Sequence, residues 1–240
     1  MKATVAGFTV LVCLFTASTT TAQQPRTATV FVNANIGVQE GAQSLSFAVP
    51  TEVFGSDGTI NVDDDVIGGA VLDLSGGVRS GRVAFGVGFS SSRTDGSHDF
   101  TASTTPFSPG SFTRSINGVT PSLEHDERVF YAFAGLVKSV SDRFDVMVSG
   151  GPAFFRVRQG MPTSISVSEF PPRVEQITTD TVEESAIGFL ATLDLDYMFH
   201  PRIGIGGLVR YSWGSAELPD STDKMTLGGI HIGTGVRVRL

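Results

Sequence analysis

Apolar and polar residues alternate with a period of two in eight stretches of this chain: 28–38 (ATVFVNANIGV), 67–79, 82–92, 127–139, 144–157, 184–199, 203–214 and 227–240. That is the period of a β-strand, whose successive side chains point to opposite faces; no stretch keeps the 3.6 period of an amphipathic helix. The pattern predicts an all-β chain. Each stretch is long enough to cross a bilayer as a tilted strand, which takes about 9–11 residues.

The connections between these stretches alternate strictly in length. Residues 39–66, 93–126, 158–183 and 215–226 are long and polar, whereas 80–81 (SG), 140–143 (VSDR) and 200–202 (HPR) are tight. Short turns at one end and long loops at the other are the habit of a closed barrel in an outer membrane, with the short turns on the periplasmic side. The expected fold is therefore an eight-stranded antiparallel up-and-down transmembrane β-barrel. With an even number of strands, both ends of the chain fall on the side of the short turns.

Sorting the strands by parity gives two faces. One is apolar throughout: Val30, Val32, Ile36 and Val38; Leu72 and Leu74; Val83, Phe85, Val87 and Phe89; Val129, Tyr131, Phe133 and Val137. It continues with Phe144, Val146 and Val148; Ile187, Phe189, Leu193, Leu195, Tyr197 and Phe199; Ile203, Ile205, Val209, Tyr211 and Trp213; and Ile230, Ile232, Val236, Val238 and Leu240. No charge falls on that set, and one Lys or Arg at mid-depth on a lipid-facing position costs about 2–4 kcal/mol. The opposite parity carries Asn33, Asn35, Asp73, Arg79, Arg82, Arg128, Lys138, Asp145, Glu184, Asp194, Asp196, Arg210, His231, Arg237 and Arg239, interleaved with glycines. Alternation alone fits a soluble barrel with these faces exchanged equally well. Loop asymmetry, an export signal and the placing of aromatics favour the membrane.

The export signal is the first segment, MKATVAGFTVLVCLFTASTTTAQQ. Lys2 opens it, Val5 to Phe15 form its apolar core, and Thr20, Thr21 and Ala22 supply small residues for cleavage. Residues 1–22 are thus expected to be a cleaved signal peptide and about 27–240 the barrel domain. The single cysteine, Cys13, lies inside the signal, so no disulfide is expected in the mature chain. Loss of Lys2 leaves 16 Lys+Arg against 24 Asp+Glu, a net charge of -8, which argues against nucleic acid as a partner.

Aromatics sit near the expected strand ends. Phe144, Tyr197 and Phe199 lie by the tight turns and Phe89, Tyr211 and Trp213 by the long loops, as two interfacial girdles would require. The stretch GGPAFFRVR at 150–158 interrupts the alternation: Pro152 cannot donate to a ladder and Phe154–Phe155 takes both parities, so a bulge is expected there.

Stretches 150–159 (GGPAFFRVRQ), 203–219 (IGIGGLVRYSWGSAELP) and 227–240 (LGGIHIGTGVRVRL) resemble small eight-stranded bacterial outer-membrane proteins of the OmpA/OmpX-like class, in an uncharacterised subgroup. The resemblance covers the mature chain and implies a bacterial outer-membrane location. It also implies that the last strand, through Val236, Val238 and Leu240, is the assembly signal read by the barrel insertion machinery; Leu240 stands where a terminal Phe is more usual. Val236→Arg is expected to block insertion and Arg237→Gln to be tolerated.

Candidate chemistry is sparse. A lipid A-modifying barrel enzyme would need His and Ser in close succession at the lipid-facing end of a strand. Ser122 with His125 lacks that spacing, and the run Ser97-His98-Asp99 places side by side groups that a relay draws from distant segments. His200 and His231 stand alone. The inner charges could line a narrow channel. An eight-stranded barrel is, however, only just wide enough for its side chains to fill it. Asp73, Asp145, Asp194 and Asp196 are therefore expected to pair with Arg82, Arg128, Arg210, Arg237 and Arg239. Asp63, Asp64 and Asp65 form an acidic run that lacks the spaced ligands and glycine turn of a calcium loop. Phe100, Phe107 and Phe112 lie in a loop too long for a passive connection, where they could pack over the barrel mouth or meet an extracellular ligand. The reading is a non-catalytic barrel with no cofactor, having a structural or surface-interaction role, with outer-membrane lipid and glycolipid around it; the alternatives are a narrow channel and a lipid A-modifying enzyme.

Overall fold

The computed structural model describes residues 28–40, 43–53, 56–66, 68–96, 99–104, 114–119, 123–169, 172–217 and 224–240, with side chains over 28–40, 68–94, 124–161, 163, 178–216 and 225–240. The signal segment 1–22 and the side chains of Asp63, Asp64, Asp65, Ser97, His98, Asp99, Phe100, Phe107, Phe112 and Ser122 lie outside those residues.

Among the described residues there are twelve strands: β1 (Thr29–Glu40), β2 (Gln43–Val53), β3 (Ser56–Val66), β4 (Ala70–Ser80), β5 (Val83–Gly96), β6 (Asp99–Thr104), β7 (Arg114–Val119), β8 (Leu123–Ser139), β9 (Phe144–Glu169), β10 (Pro172–His200), β11 (Ile203–Glu217) and β12 (Lys224–Arg239). Eight of them close an antiparallel barrel in the order β1-β12-β11-β10-β9-β8-β5-β4. Closure is made by β1 against β12, in a register that sets Ala34 opposite Val236. The amide of Leu240 also donates to the Val30 carbonyl at 2.9 Å. A closed sheet leaves no free edge, so backbone polar groups in the lipid layer pair with neighbouring strands, with a break in the β8–β9 ladder beside Gly151 and Pro152.

The tight turns fall at 81–82, 140–143 and 201–202. Gly81 takes φ 63°, a left-handed conformation that a side chain rarely adopts, at the first of them. At the other end the connections are more ordered than their polarity implies. The segment 39–66 holds the β2–β3 hairpin, and 93–126 holds β6 and β7; these four form a second sheet in the order β2-β3-β6-β7. The segment 158–183 is not a loop: β9 and β10 run on together until Glu169 faces Pro172.

The outer wall is apolar. Val30, Ile36, Leu72, Phe85, Val87, Phe189, Ile205, Ile232 and Val236 are all exposed, Ile36 by 67% and Val87 by 65%. On β10 the exposed band runs from Ile187 to Phe199. At about 3.4 Å per residue along a strand tilted near 40°, that is roughly 30 Å of height, the thickness of a hydrocarbon layer. The chain is thus an eight-stranded antiparallel transmembrane β-barrel.

One strand carries the opposite parity to that read from its sequence. Val129, Tyr131, Phe133 and Val137 of β8 are buried inside the barrel, and Phe130, Ala132, Ala134 and Leu136 face outward together with Arg128 and Lys138. The cause lies on the neighbouring strand. A Cβ at Gly86 would come within 2.8 Å of the Phe133 ring, and one at Gly88 within 2.6 Å of the Tyr131 ring. The missing side chains of β5 are the space those rings fill. Phe155 lies in the same way over Gly188 and Gly214. The interior is therefore half apolar: Ala84, Val129, Phe133, Met147, Phe155 and Val157 pack on one wall, and the charges gather on the other.

The expected bulge at Pro152 is absent. Register is kept from Phe144 to Gln159 against β10, with Phe189 opposite Pro152. Phe154 is 45% exposed and Phe155 fully buried, so the pair simply continues the alternation. Pro152 faces outward, where its ring meets lipid.

Candidate functional site

The charged wall of the lumen is built in layers. Nearest the tight turns, Arg79 and Arg239 both reach Asp145 Oδ2 at 2.6 Å, and Arg79 also donates to Ser139 Oγ at 3.1 Å. Above them Arg237, 1% exposed, donates from Nε to Asp196 at 2.6 Å and from Nη2 to Asp194 at 3.1 Å. Its Nη1 reaches the side-chain oxygen of Asn35 at 2.5 Å. The Asn35 amide in turn donates to Asp73 Oδ1 at 3.0 Å, which links this layer to the next.

That next layer centres on Arg210. Its Nη1 lies 2.6 Å from Asp73 Oδ2, its Nη2 donates to the Tyr131 hydroxyl at 2.7 Å, and its Nε donates to Thr192 Oγ1 at 3.1 Å. The Tyr131 hydroxyl donates to Asp73 Oδ2 at 2.7 Å, and the guanidinium carbon sits 4.4 Å from the centre of the Tyr131 ring. Burying ions is favourable only where each finds partners of this quality. Higher still, the amide of Gly228 donates to Glu127 Oε2 at 3.2 Å and its carbonyl accepts from Gln39 Nε2 at 2.9 Å. Both groups point into the lumen because Gly228 takes φ 92°, which only glycine adopts without strain.

Two cavities of about 30 and 10 Å³ lie in this lumen, the first beside Phe31, Arg79 and Arg237, the second beside Asp73, Arg210 and His231. A cavity of 10–15 Å³ holds roughly one water, so these spaces are far from a path for solute.

Nine charges are expected from the sequence to pair with one another in the interior. Asp73, Asp145, Asp194, Asp196, Arg210, Arg237 and Arg239 line the lumen as described. Arg128 does not: it lies on the outer face of β8, its side chain 47% exposed and its Nη2 3.0 Å from Asp126 Oδ2. Arg82 stands exposed in the turn at 81–82. Sequence reasoning missed Tyr131 as a member of the network, and the signal that could have found it was the G-x-G pair at 86–88 on the strand beside it.

Among the aromatics, Tyr197 faces Phe144 across β9 and β10 near the tight turns, and Phe199 is exposed beside His200. At the other end the Phe89 and Phe130 rings lie 5.0 Å apart, tilted by 47°, and Phe189 lies 5.6 Å from Trp213 and 6.5 Å from Tyr211. Of the terminal strand, Val236 and Leu240 are exposed and Val238 shares their outward parity.

Above the apolar band the outer wall turns ionic. Arg93 stands opposite Asp126, Asp126 opposite Arg158, and Arg158 opposite Glu183, a row of alternating charge over four strands. Glu183 takes an ion pair from Arg156 at 2.6 Å and another from Arg158, and the Arg156 guanidinium foremost holds its carboxyl below the usual carboxylate range. One rung nearer the lipid, Arg128 and Arg156 stand directly opposite each other.

His125 is buried with its Nδ1 2.6 Å from Gln159 Oε1, and His231 is buried on the inner face of β12. Among the described residues no group of three or more His, Cys, Asp or Glu could hold a metal.

No protein-family model matches the chain, and no curated protein matches it. Among solved structures it is similar to Neisserial surface protein A, at 10% identity over 89% of this chain and 99% of that one, with a TM-score of 0.47. It is also similar to the outer membrane protein OprG from Pseudomonas aeruginosa, at 10% identity over 90% and 97% with a TM-score of 0.45. The outer membrane protease OmpT from Escherichia coli is a third, at 7% identity over 88% and 97% with a TM-score of 0.43.

Proposed function

We propose that this chain is an integral barrel of the bacterial outer membrane, closed to solutes and without catalytic activity, that works through the strands and connections projecting from its long-connection end. One observation carries the reading: the lumen is crossed by a continuous set of ion pairs, from Arg79–Asp145 through Arg237–Asp194 to Arg210–Asp73, with apolar side chains filling the rest. An ion entering this lumen would have to displace paired charges, and breaking one such pair costs about 3–5 kcal/mol. The scaffold itself hosts unrelated activities, so the filled interior weighs more than the fold. The residues that project outward, among them the extended β9–β10 ribbon and the four-stranded sheet, are the surface left for recognition. Insertion would proceed through the outward residues of β12 as the assembly signal.

The test is single-channel recording on the purified chain in planar bilayers, with heat-modifiable gel migration as the check on folding. No steady conductance is expected. Sustained openings from folded protein would favour the channel, and a change in lipid A mass on expression would favour the enzyme.

A further inference from the structure

The outer wall carries a vertical succession of three rungs. In the lowest, the small outward residues Gly76, Ala132 and Pro152 share a rung with Val87 and Phe189, and beside Val87 they leave a shallow, open trough of about 830 Å³ that faces the lipid layer. Above it Phe89, Phe130, Phe154 and Ile187 stand in register across four strands and form its rim. Two residues farther along, about 7 Å at strand rise, Arg128 faces Arg156 across the β8–β9 pair, with Ser91 opposite Arg128 and Ser185 opposite Arg156.

Like charges directly opposite each other on one sheet face are destabilising unless an ion of the other sign lies between them. Arg128, Arg156 and Arg158 share two carboxylates, Asp126 and Glu183, which leaves one positive charge over. Each carboxylate lies on the side away from the lipid, and the three arginine side chains are 47%, 55% and 51% exposed. A guanidinium has five donors in a planar fork that matches phosphate, and most of these donors remain unused here.

We propose that Arg128 and Arg156 bind the headgroup phosphate of an acylated lipid in the adjoining leaflet, with one acyl chain lying in the trough over Ala132 and Pro152. The inference rests on the reading of the chain as an outer-membrane barrel and adds the chemical class of a bound lipid to it. A lipid, rather than free phosphate, is favoured because the anion site and the trough are continuous on a surface that faces hydrocarbon. Long basic side chains at such interfaces lay their stems along apolar surface and keep their heads at the polar boundary, which is where Arg128 and Arg156 stand relative to the aromatic rung.

The test is lipid titration of the full-length chain, extracted in non-ionic detergent, followed by native mass spectrometry. The probes are diphosphorylated lipid A, the same lipid with both phosphates removed, and inorganic phosphate in excess. The wild type is expected to retain one molecule of diphosphorylated lipid A, to bind the dephosphorylated form about tenfold or more weakly, and to keep its lipid when inorganic phosphate is added. The double variant Arg128→Ala/Arg156→Ala is expected to lose the same preference, and Ala132→Trp, which fills the trough, to lower retention of both lipids. Heat-modifiable migration identifies folded protein; should the double variant not fold, Arg128→Gln and Arg156→Gln are read singly. Equal binding of both lipids by the wild type, an unchanged preference in the arginine variants, or unchanged retention by Ala132→Trp overturns the proposal. Displacement by inorganic phosphate overturns it in favour of a simple anion site. A conducting barrel that still prefers the phosphorylated lipid would sink the closed-lumen reading and leave this one standing.

Discussion

At Arg237 one guanidinium meets Asp194, Asp196 and Asn35 in a site with 1% exposure, so its removal leaves the buried Asp194 without its ion-pair partner and Asp196 with Arg239 alone at 3.9 Å. From the sequence alone Arg237→Gln looked harmless, a polar residue exchanged for another on the inner face. The contacts reverse that expectation. Arg237→Gln should lower unfolding stability by about 3–5 kcal/mol, measured by urea titration of the barrel refolded in lipid vesicles, because a broken buried pair costs more than the pair itself contributes. A loss below about 1 kcal/mol would mean that water reaches the site and the lumen is open there. Tyr131 offers the complementary case. Its hydroxyl bridges Arg210 and Asp73, yet as a large apolar ring in a strand it was assigned to the lipid. No residue-level rule separates the two uses; only the bare strand beside it does.

At the level of the strand, β8 tells how far alternation can be trusted. The strands at 28–38, 184–199, 203–214 and 227–240 are apolar on one parity and, apart from Phe31, Leu190, Met198, Leu208 and Leu227, polar or small on the other, which makes their faces legible. In β8 both parities are apolar, with Val129, Tyr131, Phe133 and Val137 on one and Phe130, Ala132, Ala134 and Leu136 on the other. Bulk then points the wrong way, because the heavy residues are the ones that fill space over Gly86 and Gly88. Ala134→Arg should therefore cost about 2–4 kcal/mol and slow insertion, as for any basic residue on a lipid face at mid-depth. If Ala134→Arg inserts as readily as wild type in a vesicle-folding assay, the parity of β8 is misassigned. The extensions of β9 and β10 beyond residue 158 escaped notice for a different reason. Outside the bilayer neither face of a ribbon must be apolar, and alternation there is confined to the short run Ser164-Ile165-Ser166-Val167-Ser168.

The whole molecule is polarised along its axis, with tight turns at one end and the paired extension of β9 and β10 at the other. Its only cysteine, Cys13, falls in the expected signal segment, so the mature chain offers a background without thiols. In intact cells Thr181→Cys, exposed on the extension, should react with a membrane-impermeant maleimide, and Ser141→Cys, exposed in the turn at 140–143, should not. Labelling of Ser141→Cys alone would invert the orientation. Overall architecture and topology were the most legible levels, because loop length and strand parity are constrained by the bilayer itself. The four-stranded sheet at the long-connection end was not, since its strands are free of that constraint: β6 and β7 have 6 residues each and β3 is polar over most of its length.

The barrel is fastened by its first strand meeting its last: Asn35 and Arg237 are 202 positions apart and share a hydrogen bond. Every nascent form lacking residues 230–239 therefore exposes two raw ribbon margins, each an invitation to pair with a stranger. Long-separated partners also make closure slow, so the polypeptide must be escorted as an unfinished sheet until synthesis is over. Loss of residues 230–239 would thus be more damaging than most internal changes, yielding a sticky fragment instead of a smaller working cylinder.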